Sequence, residues 1–272
     1  MPPRGHFPRK RFGQHFLVDA EVVERIVGAI DPSPADHVVE IGPGLGALTL
    51  PLLARLDHLH VIEIDRDLSE RLRERHSLER LTVHEADALR FDFSTLPAPL
   101  RMVGNLPYNV STPLLFHAAA FASRCKDLHF MLQREVVDRM VSEPAGPEYG
   151  RLSVMLQYRF HIERLFEVMP HSFRPAPKVR SAVVRLVPRH ARELDAVSDA
   201  GLERIVARAF SMRRKTLRNT LAGLISADEL ARLGIDPGRR AQELPLAAFV
   251  TIANRLAARE LDPAHSRWQN SV

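Results

Sequence analysis

The chain has 272 residues, 45% hydrophobic and 26% charged, with 38 Lys+Arg against 33 Asp+Glu and a formal net charge of +5. Apolar content this ordinary and a charge this small exclude a disordered chain, and the length suits one large or two modest domains. No stretch approaches the roughly 18 uninterrupted apolar residues of a membrane span, and no apolar run of a secretory signal follows the basic N-terminus. The single cysteine, Cys125, excludes an internal disulfide and a Cys-built zinc site, so a cytosolic protein is the expectation.

The first 180 residues alternate strand and helix signals. Asp19 caps a predicted helix whose apolar positions Val22, Val23, Ile26, Val27 and Ile30 recur at helical spacing up to Pro32. Short strand signals follow at His37–Ile41, Leu59–Ile64, Leu81–His84, Leu100–Val103 and Leu128–Leu132. Helices are expected between them over 45–55, 66–76, 112–122 and 134–142, the first disturbed by Pro51 and the third capped by Thr112 with Pro113 at its first position. The stretch 143–150 reads as a loop, 152–168 is open between helix and strand, and 182–187 reads as a last strand. Repeated βα units of this length predict an α/β fold with a parallel, doubly wound sheet. Beyond 188–200 the pattern becomes all helical, with candidates at 202–210, 213–224, 227–233 and 245–259.

Charge is distributed unevenly along this plan. Residues 1–18 carry Arg4, Arg9, Lys10 and Arg11 and no acid, and residues 200–272 carry 12 basic side chains against 7 acidic. The middle, 19–199, has 22 basic and 26 acidic residues. Basic ends around an acidic middle suggest a polyanionic partner met by the ends.

Three places in the sequence carry chemistry. Glu40-Ile41-Gly42-Pro43-Gly44-Leu45-Gly46-Ala47 follows the first strand of the alternating region, where glycines allow a tight turn and a close approach of ligand to backbone. Glu63 lies about the right distance on to bind ribose hydroxyls. The run alone does not separate an NAD site from an S-adenosylmethionine (SAM) site. Glu40 beside the glycines favours SAM, because it would repel a pyrophosphate but tolerate a cationic methionine moiety. Asp87, after the third strand, is placed to accept from an adenine amine. Asn105-Leu106-Pro107-Tyr108 closes the fourth strand. Adenine N6 is a poor nucleophile, and a site that methylates it must draw its lone pair out of conjugation. The Asn105 side-chain carbonyl and the Leu106 backbone carbonyl can accept its two N–H bonds, Pro107 stiffens the turn, and Tyr108 can stack on the base. The third place is the basic run Arg213, Arg214, Lys215 and Arg218, with Arg239 and Arg240 in a following loop. No His–Cys spacing suggests a metal, and His58 and His60 are expected to be exposed on a strand edge.

Taken together, Gly13 to Leu17, Glu40 to Gly46, Glu63, Asp87, Asn105 to Tyr108 and Phe173 to Val179 resemble, in order, the motifs of the ribosomal RNA adenine N6-dimethyltransferases. The resemblance runs from about residue 9 to 260 and is nearest to the bacterial KsgA/RsmA branch, through Arg9 to Gln14, Tyr149 to Ser153 and Arg213 to Asn219. It implies a Rossmann-like SAM-dependent methyltransferase domain over 1–188 and a small helical domain over 189–272 that docks RNA. Residues 1–11 would be disordered in isolation. It implies SAM contacts at His15, Leu17, Gly42, Gly44, Glu63, Asp87 and Asn105, with S-adenosylhomocysteine as product and no metal. Residue 15 is often Asn in that family, and a like hydrogen-bonding role is expected of His15. The resemblance places Phe173 opposite Tyr108, holding the target adenine between two rings. The implied reaction dimethylates N6 of two adjacent adenosines near the 3′ end of 16S rRNA within the immature small ribosomal subunit. Arg9, Lys10, Arg11 and the later basic residues would grip phosphates. The alternatives are a large-subunit methyltransferase of the erythromycin-resistance type, a ribosome-assembly factor acting by binding and, more distantly, an NAD oxidoreductase.

Overall fold

The computed structural model describes residues 15–260. The chain divides into two compact units, one running to Val137 and resuming over Phe160–Pro188, the other made of Asp138–Arg159 and the chain from Arg189 onward. The second unit therefore includes 138–159, a stretch expected in the first domain.

The first unit is built on a seven-stranded sheet. Its strands are β2 (His37–Ile41), β3 (Leu59–Glu63), β4 (Leu81–Glu85), β5 (Leu100–Asn105), β6 (Cys125–Gln133), β7 (Phe160–Val168) and β9 (Ser181–Pro188), in the order β4-β3-β2-β5-β6-β9-β7. The first five are mutually parallel, and β9 runs antiparallel to both β6 and β7. All residues of β5 but the last, and all of β2 but the first, are buried, as a parallel sheet covered on both faces requires. Chain order reverses between β2 and β5, so the crevice beyond their carboxyl ends is the ligand position of an open α/β sheet. A separate pair, β1 (Phe16–Leu17) and β8 (Phe173–Arg174), joins antiparallel with Leu17 opposite Phe173.

Helix α1 (Ala20–Ile30) follows its sequence pattern: Asp19 accepts from the amides of Glu21 and Val22 at 3.2 and 3.3 Å, and the five predicted apolar residues are buried. Helix α2 is shorter than expected, Thr49–Leu53 instead of 45–55, because the glycine turn extends to Leu48. Pro51 sits in its first turn, where no N–H is missed. After α3 (Arg66–Arg75), helix α4 (Ser111–Ala119) begins before Thr112, capped by no side chain. Its start is set by the turn before it, in which the Val110 amide and Ser111 hydroxyl donate to the Pro107 carbonyl at 3.2 and 3.0 Å.

A buried ionic cluster ties the amino ends of these strands together. The Arg101 guanidinium donates to both carboxylate oxygens of Asp127 at 2.9 and 2.8 Å, to Asp36 at 2.7 Å and to the carbonyls of Asp31 and Ile30. Burial alone would raise the Asp127 carboxyl, but the His129 ring 3.5 Å away and the hydrogen bonds from Arg101 outweigh it and hold it down to about 2.

Helix α5 (Arg134–Val141) leads into the second unit, where α6 (Arg151–Arg159) packs with α7 (Asp199–Ala209), α8 (Leu217–Thr220), α9 (Ala227–Arg232) and α10 (Leu246–Glu260). The ambiguous stretch 152–168 thus resolves into both elements, α6 and then β7. The predicted helix 213–224 shrinks to four residues, because backbone bonds to 237–240 replace helical ones around it.

Candidate active site

The turn after β2 holds three glycines in the left-handed region, Gly42 at φ 68°, Gly44 at 57° and Gly46 at 87°, which side chains rarely adopt. A Cβ at Gly44 would also stand 3.2 Å from the Phe16 ring. This turn, His15 to Leu17, the ends of β3 and β5, and the segments after β4 and β5 line one cleft. His15, Leu17, Gly42, Gly44, Glu63, Asp87, Asn105, Leu106, Pro107 and Tyr108 all border it, so the residues picked from separate motifs converge in space.

Two buried carboxylates set its electrostatics. Glu40 accepts from the Thr49 hydroxyl at 2.7 Å, and its nearest charged influence is another carboxylate, Glu63. Burial, with repulsion from Glu63 adding to it, raises the Glu40 carboxyl to about 7 against the pull of the Thr49 bond. Glu63 is also raised by burial, opposed by amide bonds from Asp65 at 2.9 Å and Gly44 at 3.1 Å. Its bond to Gly44 ties the end of β3 to the glycine turn. Asp87 accepts from the Leu89 amide at 2.9 Å, which fixes its loop against the same cleft. A pocket with buried carboxylates and apolar walls fits a cationic ligand and opposes a pyrophosphate. Among the described residues no group of three or more His, Cys, Asp or Glu side chains is placed to hold a metal ion.

At the end of β5 the backbone is held tightly. A Cβ at Gly104 would lie 2.4 Å from the Ile41 carbonyl, so only glycine lets the two central strands approach here. The Leu106 amide donates to Met131 at 3.0 Å, extending the sheet one residue past the strand. The Asn105 side-chain amide donates to the His15 carbonyl at 3.0 Å, which makes Oδ1 its acceptor end. The turn's own bonds use the Pro107 carbonyl and not that of Leu106. Tyr108 is anchored by a 2.7 Å hydrogen bond between its hydroxyl and Ser181 of β9. Burial raises the phenol, and the Ser181 bond works against that rise.

The ring stacked on Tyr108 is His15, with centroids 5.4 Å apart and planes at 27°. The imidazole is held by Nδ1 against the Pro175 carbonyl at 2.8 Å. Phe173 is not there. It is fully buried in the hydrophobic core, where its pairing opposite Leu17 places it, and it does not line the cleft. The ring that faces Tyr108 in this structure is therefore His15 and not Phe173.

The sequence pattern of the ribosomal RNA adenine dimethylase family matches residues 5–258. The chain belongs to that family. It is 61% identical over 254 residues to the ribosomal RNA small subunit methyltransferase A of Aromatoleum aromaticum, covering 93% of this chain and 96% of that one. It is 59% identical over 252 residues to the protein of the same name from Chromobacterium violaceum, covering 92% and 96%. Among solved structures it is similar to a dimethyladenosine transferase from Plasmodium falciparum, with TM-score 0.78, 25% identity and coverage of 89% and 98%. It is also similar to the 23S rRNA methyltransferase ErmE, with TM-score 0.68, 25% identity and coverage of 89% and 99%.

In this dimethylase the second unit assembles the basic residues. Thr216 bridges Arg240, the Leu217 amide donates to Arg239 at 2.8 Å, and the Arg218 amide donates to Pro237 at 3.0 Å. These bonds bring Arg213, Arg214, Lys215 and Arg218 beside Arg239 and Arg240 as one exposed patch. They sit mostly in turns, not on the predicted helix, and Arg213 is held by the Pro147 carbonyl at 2.9 Å. Arg9, Lys10 and Arg11 lie outside the described residues. His58 and His60, expected to be exposed, are half-buried. Sequence reasoning missed Thr49 and Ser181, which anchor Glu40 and Tyr108. Ser181 is 73 residues from its partner and carries no local signal of its task.

Proposed function

We propose that this dimethylase transfers methyl groups from S-adenosylmethionine to N6 of two adjacent adenosines near the 3′ end of 16S rRNA. Four transfers, each releasing S-adenosylhomocysteine, complete the pair. The observation that carries the reading is the fixed acceptor geometry at the end of β5: Asn105 with its amide nitrogen committed to His15, beside an anchored Tyr108 and a glycine turn lining the same cleft.

The acidic cleft fits the cofactor. Glu63 and Asp87 would hold its ribose and adenine, the turn at Gly42 and Gly44 would let it approach the backbone, and His15 and Leu17 would border it. When bound, it supplies a methyl group on a cationic sulfur. Asn105 Oδ1 and the Leu106 carbonyl accept the two N–H bonds of the target adenine, which localises the N6 lone pair and aims it along the line of displacement. Tyr108 fixes the plane of the extruded base. Once N6 has gained its methyl it is strongly acidic, and water takes the proton. No metal is required for this step.

The patch of Arg213, Arg214, Lys215, Arg218, Arg239 and Arg240 supports a role for the second unit in gripping rRNA phosphates of the immature small subunit, and Arg9, Lys10 and Arg11 would add to it. No helix among the described residues is long and apolar enough to cross a membrane, and the cytoplasm suits this substrate. The likeness to ErmE supports a second reading, methylation of large-subunit rRNA. Labelled cofactor offered to purified unmethylated small and large subunits in competition decides. Label at adenine N6 of the small subunit, lost in Asn105→Ala, is the expected result. Label confined to the large subunit, or full activity in Asn105→Ala, overturns it.

A further inference from the structure

The Glu40 carboxylate is 2% exposed and lines the cleft, yet its hydrogen bond comes from a neutral group, the Thr49 hydroxyl of α2. Its sheet neighbours are apolar, Val61 on β3 and Val103 on β5. The turn from Gly42 to Leu48 carries no ionisable side chain, and among the described residues the charged group that acts on Glu40 is Glu63, itself influenced by Asp65. A buried carboxylate held this way is poised to keep a proton until positive charge arrives. Glu63 differs, because backbone amides of Gly44 and Asp65 compensate its charge.

We propose that Glu40 is a proton-linked charge sensor: it gives up a proton to solvent when the cationic cofactor binds, and so disfavours the methyl-depleted product. The inference rests on the cofactor reading above. S-adenosylmethionine carries a sulfonium that S-adenosylhomocysteine lacks, so the product offers one positive charge fewer to keep Glu40 ionised. Burial, opposed by the Thr49 bond and reinforced by Glu63, raises the Glu40 carboxyl to about 7, so its protonation answers to charge placed in the cleft. The device favours fresh cofactor over spent product at the point in the cycle where exchange is needed for repeated transfers.

Isothermal titration of the full chain in buffers of different ionisation enthalpy counts the protons. At pH 7, binding of S-adenosylmethionine is expected to release about half a proton, and binding of S-adenosylhomocysteine measurably less. Affinity for the former should fall by up to about tenfold per pH unit below 7 and level off above 8. Glu40→Gln should remove the difference in proton count. Thr49→Val, which leaves the carboxyl in place but takes away its donor, should move the release to higher pH. Equal proton release with both ligands, or release that persists in Glu40→Gln, overturns the proposal while leaving the cofactor reading intact. Binding of neither ligand removes the cofactor reading and the proposal with it.

Discussion

Replacing Ser181 with Ala removes one atom that never touches substrate, and it is expected to slow methylation about tenfold. The Tyr108 hydroxyl and Ser181 Oγ stand 2.7 Å apart, with Ser181 fully buried and Tyr108 half-buried. Deleting one partner leaves the other unsatisfied, at a cost of about 1–2 kcal/mol. The ring of Tyr108 is then free to leave the plane in which it meets the base. If that cost falls on the transition state, kcat/KM drops about 5- to 30-fold. Tyr108→Phe should lose a similar amount, since the buried serine is orphaned in turn. The double variant, with both polar groups gone, should be no slower than either single one, giving a coupling of about 1–2 kcal/mol. Tyr108→Ala removes the ring as well, and a stacking contribution of about 1–3 kcal/mol should carry the loss beyond tenfold. Single-turnover methylation of unmethylated small subunits measures these effects, with thermal unfolding as the control for folding. Full activity in Tyr108→Phe, or losses that simply add in the double variant, would refute a positioning role for the pair.

Arg101→Met strands Asp127 in the core and is expected to cost about 3–5 kcal/mol in urea unfolding, whereas Arg101→Met with Asp127→Leu should recover most of it. Gly104→Ala forces a Cβ into the Ile41 carbonyl and should lower both Tm and activity; a variant with wild-type Tm would contradict the close approach of β2 and β5. Charge reversal at Arg214 or Arg239 should weaken small-subunit binding and reduce its salt slope by about one per lost phosphate contact, leaving the rate at saturating substrate unchanged. Acid sensitivity should arise at His60, which bonds His84 at 3.2 Å and sits among His58, His84 and His37. Burial first, then those neighbours, lower its imidazole from 6.5 to about 4. The unfolded chain therefore takes up a proton that the folded chain refuses, so stability is full above about pH 6.5 and declines as pH falls towards 4. With the group half-exposed the loss should be about 1–2 kcal/mol, and His60→Leu should flatten that part of the pH–stability curve.

Much of this architecture is written in local pattern. The five apolar positions of α1, its Asp19 cap and the β-branched runs of β2 and β3 read directly from spacing, because burial of one face enforces the period. The glycine turn and the Asn105–Tyr108 segment stood out because their chemistry demands particular residue types. The errors fell where tertiary contacts override local preference. Around Thr216 to Arg218 the backbone bonds to 237–240, and Arg213 to Lys215 lie in turns ahead of α8, while a Pro107-centred turn starts α4 ahead of its expected cap. The burial of Phe173 is not legible for the same reason, since nothing in its neighbourhood announces a strand pairing with Leu17, 156 residues away along the chain. The anchors Thr49 and Ser181 are single hydroxyls on distant elements, visible only once the sheet is assembled.

If this cleft dimethylates adenine N6 in small-subunit rRNA, the mark must depend on the gene. Mass-spectrometric mapping of rRNA from cells lacking the gene, with and without the restored coding sequence, tests it most directly. Two adjacent N6,N6-dimethyladenosines near the 3′ end of 16S rRNA should vanish on deletion, return with the intact sequence and stay absent with Asn105→Ala. An unchanged 16S modification pattern in the deletion strain, or a change confined to 23S rRNA, would contradict it.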